Sequence, residues 1–154
     1  MIWKQGASYT SYTHGPLWHT VLGRDLVQGL DDTYTLAGCL MGINLPTLST
    51  SDDSGKDGLA TGSNPTVGRD SLGMQLHYYN GDFTDGRLAF AGTRSEASFK
   101  GLYNGNIVGW SYTSRSENGT PQTTMLSTYF YDNLNDLMQA WPHTMVSNVW
   151  TTSD

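Results

Sequence analysis

The chain has a single cysteine, Cys39, and only eight Lys and Arg among its 154 residues. No apolar run approaches the roughly 18 residues that cross a bilayer as a helix. One cysteine cannot form an internal disulfide, and Cys39 lies in the apolar run Cys39-Leu40-Met41-Gly42-Ile43, which predicts a packing role. The basic residues are scattered and the net charge is −6. That excludes binding along a nucleic-acid backbone, which needs clustered Lys and Arg to displace counterions. No polybasic stretch points to a membrane surface or to membrane insertion. Charged residues make up 14% of the chain, against about 25% in an average protein, so a coiled coil or long-helix protein is excluded. The start, Met1 to Gly6, runs straight into Tyr and Ser alternation without an apolar h-region, so no secretory signal is expected there. The sequon Asn118-Gly119-Thr120 matters only in a eukaryotic secretory route.

Glycine and aromatic residues are plentiful. There are 18 Gly, roughly 12% against about 7% on average, with 5 Trp, 9 Tyr and 4 Phe, which excludes a disordered acidic tail. About 150 residues can bury roughly 68–70% of their unfolded surface, so 1–154 reads as one segment, with the option that it belongs to something longer. Period-2 alternation bounded by Gly, Asn, Asp and Pro predicts strands at Ser8–Thr13, Leu17–Leu22, Leu26–Leu30, Thr33–Leu36, Cys39–Ile43, Met74–Tyr79, Gly105–Tyr112, Met125–Tyr131 and Met145–Trp150. A strong turn signal, Asn80-Gly81, follows Tyr79. Leu45–Asp70, dense in Ser, Asp, Gly and Pro, reads as a long loop inserted into this β framework, and Ser114–Thr123 as a shorter one. Leu134, Leu137 and Met138 fall at helical spacing over Asp132–Ala140, but an internal repeat demotes that helix.

The repeat aligns Asp32–Met41 with Tyr129–Met138 without gaps. Each has a Tyr (Tyr34, Tyr131), a turn-capable residue four positions on (Gly38, Asn135), then Leu (Leu40, Leu137). A third copy, with Tyr12, Gly15 and Leu17, is one residue shorter. This order predicts a strand, a reversal where positive φ is cheap, and a return strand. Such a hairpin cannot bury its apolar face alone, so the copies must stack on neighbours.

YFYDNLNDL, from Tyr129 to Leu137, resembles the tyrosine-aspartate repeat of RHS proteins, Y-x-Y-D-x-x-G-R-L. Tyr129, Tyr131, Asp132, Asn135 and Leu137 take the motif positions, with Asn135 and Asp136 where Gly and Arg are usual. The blocks LVQGLDDTYTLAGCLMGIN (Leu26–Asn44), GRDSLGMQLHYYNGDF (Gly68–Phe83) and LYNGNIVGWSY (Leu102–Tyr112) are also similar to bacterial, toxin-associated RHS proteins, in their order. The resemblance implies an all-β fold of antiparallel hairpins stacked into a hollow shell, here an open, incomplete segment because 154 residues are too few to close one. It implies a secreted or cell-surface setting and a structural role, enclosing a toxin domain or presenting an adhesion domain. The partners would be the remaining repeats of a longer chain or an associated toxin domain.

Candidate chemistry is sparse. Asp52-Asp53-Ser54-Gly55-Lys56-Asp57-Gly58 has the look of a calcium loop, but with Asp53 first the third position is Gly55 and the twelfth is Asn64, where a bidentate Glu is needed. The run is read as a solvated loop and no metal or other cofactor is expected. His14 and His19 stand five apart, which fits no helical or strand pair, so they are read with His77 and His143 as surface or partly packed. No G-x-S-x-G elbow or phosphate cradle is present, and no enzymatic activity is expected. Trp18, Tyr78, Tyr79, Trp110 and Tyr112 could form an aromatic ligand platform, with carbohydrate the better guess at this charge. The alternative reading is therefore a small β-sandwich carbohydrate-binding module.

Overall fold

The computed structural model describes residues 6–50, 53–79, 101–146 and 149–152. They form one open antiparallel sheet of nine strands in chain order, β1 (Ala7–Ser11), β2 (Leu17–Leu22), β3 (Gln28–Tyr34), β4 (Leu40–Ile43), β5 (Leu72–His77), β6 (Gly109–Ser114), β7 (Met125–Tyr131), β8 (Leu137–Val146) and β9 (Val149–Thr152). The all-β expectation holds, and no described residue is helical. The sheet is a single layer, so the alternative of a closed sandwich does not describe it. The expected Asn80-Gly81 turn lies outside the described residues, as do Asp52, Phe83 and part of the Met145–Trp150 strand.

The repeat corresponds to one turn used three times at one end of the meander. Residues 12–16 join β1 to β2, 35–39 join β3 to β4, and 132–136 join β7 to β8. In each, the N–H of the first residue donates to the carbonyl of the fifth (2.8, 2.8 and 3.0 Å), and the N–H of the fourth to the carbonyl of the first (2.9, 2.9 and 3.2 Å). The fourth residue has positive φ: Gly15 at 116°, Gly38 at 83° and Asn135 at 69°. A register shift sits at the end of each incoming strand, between Thr10 and Ser11, Thr33 and Tyr34, and Phe130 and Tyr131. This is the three-residue hairpin loop with a bulge that follows a left-handed residue. The turn 116–120, between β6 and β7 at the opposite end, repeats the hydrogen bonds at 2.9 and 2.8 Å around Gly119 (φ 75°).

Two sequence-level readings are corrected. The first copy is not a residue short: Ser11 pairs with Leu17 as Tyr34 pairs with Leu40 and Tyr131 with Leu137, so Tyr12 stands one place later, inside the turn. Cys39 is exposed because it is the last residue of a turn rather than part of the strand after it. β8 runs through Trp141-Pro142. At Pro142 the strand pairs with Ser127 of β7, whereas pairing with β9 starts only at His143. A strand with one neighbour tolerates a residue that lacks an N–H.

The two faces of the sheet differ. Gly73, Gln75 and His77 of β5, Ser111 and Thr113 of β6, and Leu126 and Thr128 of β7 alternate onto one face and are buried. Met74, Leu76, Trp110, Tyr112 and Met125 take the other and are half-buried. Residues 45–70 are folded down on the first face: Leu45, Leu48 and Val67 are buried, and a Cβ on Gly73 would lie 2.0 Å from the Leu45 carbonyl oxygen. Arg115 fixes the far end of the insertion, donating from Nε to the Asp70 carbonyl (2.7 Å) and from its guanidinium to that of Leu48 (2.6 Å).

A Cβ at Gly38 meets nothing within 4 Å, so Gly38→Ala tests the left-handed turn alone. It is expected to cost about 1–2 kcal/mol, read as a lowered denaturant midpoint at unchanged slope.

Candidate functional site

His19 on β2 and Asp31 on β3 stand directly opposite each other in the antiparallel register. Their side chains meet on the first face, His19 Nδ1 to Asp31 Oδ1 at 2.6 Å, and both residues are buried. The insertion brings the Asp-rich run over this pair. The N–H of Gly55 donates to Asp31 Oδ2 (2.6 Å) and to Asp53 Oδ1 (3.0 Å), and the N–H of Asp57 donates to Asp53 Oδ2 (2.7 Å). Asp53 thus shapes its own loop.

Asp57 is turned inward, 1% exposed. It fits only because β3 carries Gly29 there, since a Cβ at Gly29 would sit 1.6 Å from Asp57 Oδ2 and 2.9 Å from His19 Cε1. Neither Asp57 oxygen has a partner at hydrogen-bond geometry, and neither does His19 Nε2. The Asn64 amide donates to the Gly55 carbonyl (2.9 Å) and lies near enough to Asp57 to favour its charged form. One potential ligand atom each from His19, Asp31 and Asp57 lies within 4.8 Å of the others. Asn44 closes the floor: its Oδ1 accepts from the Asp31 N–H (2.8 Å) and its Nδ2 donates to the Leu72 carbonyl (2.9 Å).

Burial disfavours the charged form of Asp31, Asp57 and Asp70. Desolvation, opposed by the His19 hydrogen bond, pushes Asp31 up to about 6. Asp57 is raised by desolvation, with His19 and the Asn64 side-chain amide opposing and Asp53 reinforcing. Asp70 is pushed up to about 8 by desolvation and then by the charges of Asp53, Asp31 and Asp57, with Arg115 opposing. Asp53, Asp57 and Asp70 border, with Arg69 and Arg115, a void of about 10 Å³. That is about the space of one water.

The sequence-derived residues go elsewhere. Asp132 shapes its turn, Oδ1 accepting from the N–H groups of Leu134 (2.8 Å) and Asp136 (2.9 Å). The Thr35 hydroxyl does the same for Cys39 (3.0 Å). Tyrosine hydroxyls tie neighbouring segments: Tyr12 donates to the Asp32 carbonyl (3.2 Å), Tyr78 to that of Leu40 (2.7 Å) and Tyr131 to that of Ile107 (2.7 Å). The platform residues do not converge. Trp110 and Tyr112 stack at 4.8 Å, but Tyr78 is buried, Tyr79 stacks on Tyr103, and Trp18 lies on β2, with three strands between it and β6. Only His14 of the four histidines is exposed. His77 meets Ser111 Oγ (2.9 Å) and His143 meets Thr128 Oγ1 (2.9 Å) inside the first face. The His19 cluster was hidden because its members come from two strands and a loop. The one available signal was alternation, which puts His19 and Asp31 at inward positions of adjacent strands.

Two measurements test this geometry. Gly29→Ala is expected to expel Asp57 and cost about 2–3 kcal/mol, with new proteolysis near residues 53–58. Adding Asp57→Ala should recover most of the loss, because the two side chains compete for one space. The second concerns pH. A carboxyl raised to about 8 in the folded state, against about 3.9 unfolded, holds its proton in the native state between those values. Its contribution is therefore full below about pH 4 and is lost as pH rises through 8, at no more than about 1.4 kcal/mol per pH unit. Denaturation in chelator-containing buffer should show this decline, and Asp70→Asn should flatten it.

Comparison with protein-family models, curated proteins and solved structures finds no match, so the reading of this site rests on its geometry.

Proposed function

We propose that the chain is a wall segment of an RHS-type β-shell, whose work is enclosure by stacked hairpins rather than a reaction. The carrying observation is the shared turn at 12–16, 35–39 and 132–136, with its bulge and its left-handed fourth residue. It makes successive hairpins copies of one unit that add to a sheet edge.

The distribution of apolar surface supports the same reading. Among the described residues only Leu45, Leu48, Val67, Tyr78, Val108 and Leu126 form a buried apolar core, which is little for nine strands. The outer half of β8 has no described strand on its far side, and Leu137, Met138 and Trp141 there are exposed. An unpaired strand edge carrying large apolar side chains is a template for another strand. The second face holds an open trough of about 450 Å³ lined by Met74, Leu76, Ile107, Trp110, Tyr129 and Tyr131, among others. Sugar recognition needs several convergent polar side chains as well as a ring to stack on. The Tyr131 hydroxyl is already committed to Ile107, so the trough suits an apolar partner, such as a neighbouring hairpin, better than a carbohydrate.

In the isolated chain these surfaces are left to pair with copies of themselves. Sedimentation is expected to show concentration-dependent association, and Met138→Lys with Trp141→Lys should weaken it roughly tenfold or more without lowering the melting temperature. A monomer at every concentration would sink the wall reading. Glycan binding by such a monomer, lost in Trp110→Ala, would replace it with the carbohydrate reading.

A further inference from the structure

We propose that His19, Asp31 and Asp57 bind one divalent transition-metal ion of the zinc class, which staples the 45–70 insertion to strands β2 and β3. Three independent features meet at this point. The three residues offer ligand atoms within 4.8 Å of one another, and all three are buried. One of them, Asp57, is 1% exposed and has two carboxylate oxygens without a partner at hydrogen-bond geometry. Finally, β3 has a glycine where any side chain would expel Asp57, so the sheet leaves room for the carboxylate to reach the imidazole.

A buried carboxylate with no partner on either oxygen costs several kcal/mol unless it is neutralised. A proton removes the charge but adds a buried donor. A divalent cation satisfies the imidazole nitrogen and the carboxylates together. It also offsets the negative field that Asp31, Asp53 and Asp57 impose on Asp70.

The donor set selects the class of ion. One imidazole and two carboxylates match the three-protein-ligand pattern of zinc and its neighbours. Calcium needs six to eight oxygen ligands and magnesium keeps several waters, and a site this enclosed supplies neither. The proposal does not depend on the wall reading, because it concerns how the insertion is held and not what the sheet assembles with.

The test uses the full chain with Cys39→Ser, which removes the exposed thiol as a competing ligand. Zn2+ at a hundredfold excess over its dissociation constant should raise the melting temperature by about 5–10 °C, and Ca2+ should not. Co2+ should give visible d–d bands without thiolate charge transfer. Hydrogen exchange should slow at residues 53–58 and stay unchanged in the 116–120 turn. Asp57→Asn should lose the metal response, yet melt above the parent in chelator because the unpaired carboxylate is gone. The proposal is overturned by the absence of a Zn2+ or Co2+ response in the parent, by an equal response in Asp57→Asn, or by Ca2+ matching Zn2+. If Asp57→Asn does not fold, the parent's exchange map decides: protection away from residues 53–58 rejects the site.

Discussion

A left-handed residue at the fourth position of a five-residue turn fixes two things at once. It closes the hairpin, and it forces the bulge that sets the register of the strands on either side. Gly15, Gly38 and Asn135 hold that position at one end of the sheet and Gly119 at the other. Side-chain alternation has period two, so a slip of one residue in any of these turns would exchange the faces of every strand beyond it. The pairing of His19 with Asp31 and the placement of Gly29 beneath Asp57 follow from the β2–β3 register, set by the 23–27 connection, where Gly23 (φ 74°) and Leu26 (φ 53°) are also left-handed. Register here is written in the turns.

The faces that register creates reverse the usual antiparallel arrangement, in which the apolar side is buried and the polar side meets water. Here the deeply buried side carries Gln75, His77, Ser111, Thr113 and Thr128, while Met74, Leu76 and Trp110 line an open trough. A buried polar face is stable only when its groups are paired. That requirement explains the pairing of His77 with Ser111, Thr128 with His143 and Thr113 with Thr124. It also explains the insertion, whose backbone N–H at Gly55 supplies a partner that a neighbouring apolar sheet could not, beside the Asn44 side chain just ahead of it.

Much of the β framework could be read from the residues, because alternation and turn chemistry are local. β2 and β7 fall at their expected bounds. The Asp132–Ala140 segment resolves as a turn and a return strand, because its similarity to Asp32–Met41 outweighs its helical spacing of leucines. Some failures are local: the strands expected at Leu26–Leu30 and Thr33–Leu36 are one strand, β3, and the expected Met145–Trp150 strand falls across the end of β8 and the start of β9. Others are tertiary. Tyr12 resembled Tyr34 in sequence, but the strand register assigns that place to Ser11, whose small side chain gave no signal. Asp57 looked like one more solvated residue in a Ser- and Asp-rich loop. It became the most buried of them because a distant glycine on β3 leaves a space of its size. His19 and Asp31 were visible as inward positions, but nothing local said that a loop of more than twenty residues would fold back across both.

The same asymmetry divides the work between the two faces. On the first, an incoming segment must match buried donors and acceptors one by one, so only a segment of matching sequence fits, and the chain supplies it as its own insertion. On the second, and along the outer half of β8, contacts are apolar and nearly geometry-free, so stability there comes from area rather than from a particular partner atom. On the proposed wall reading both kinds of surface have a use: area lets successive hairpins add in the same way, and a specific polar dock holds the long insertion on the face away from the trough. The buried His19–Asp31–Asp57 cluster lies on that first face, held by specific contacts from β2, β3 and the insertion.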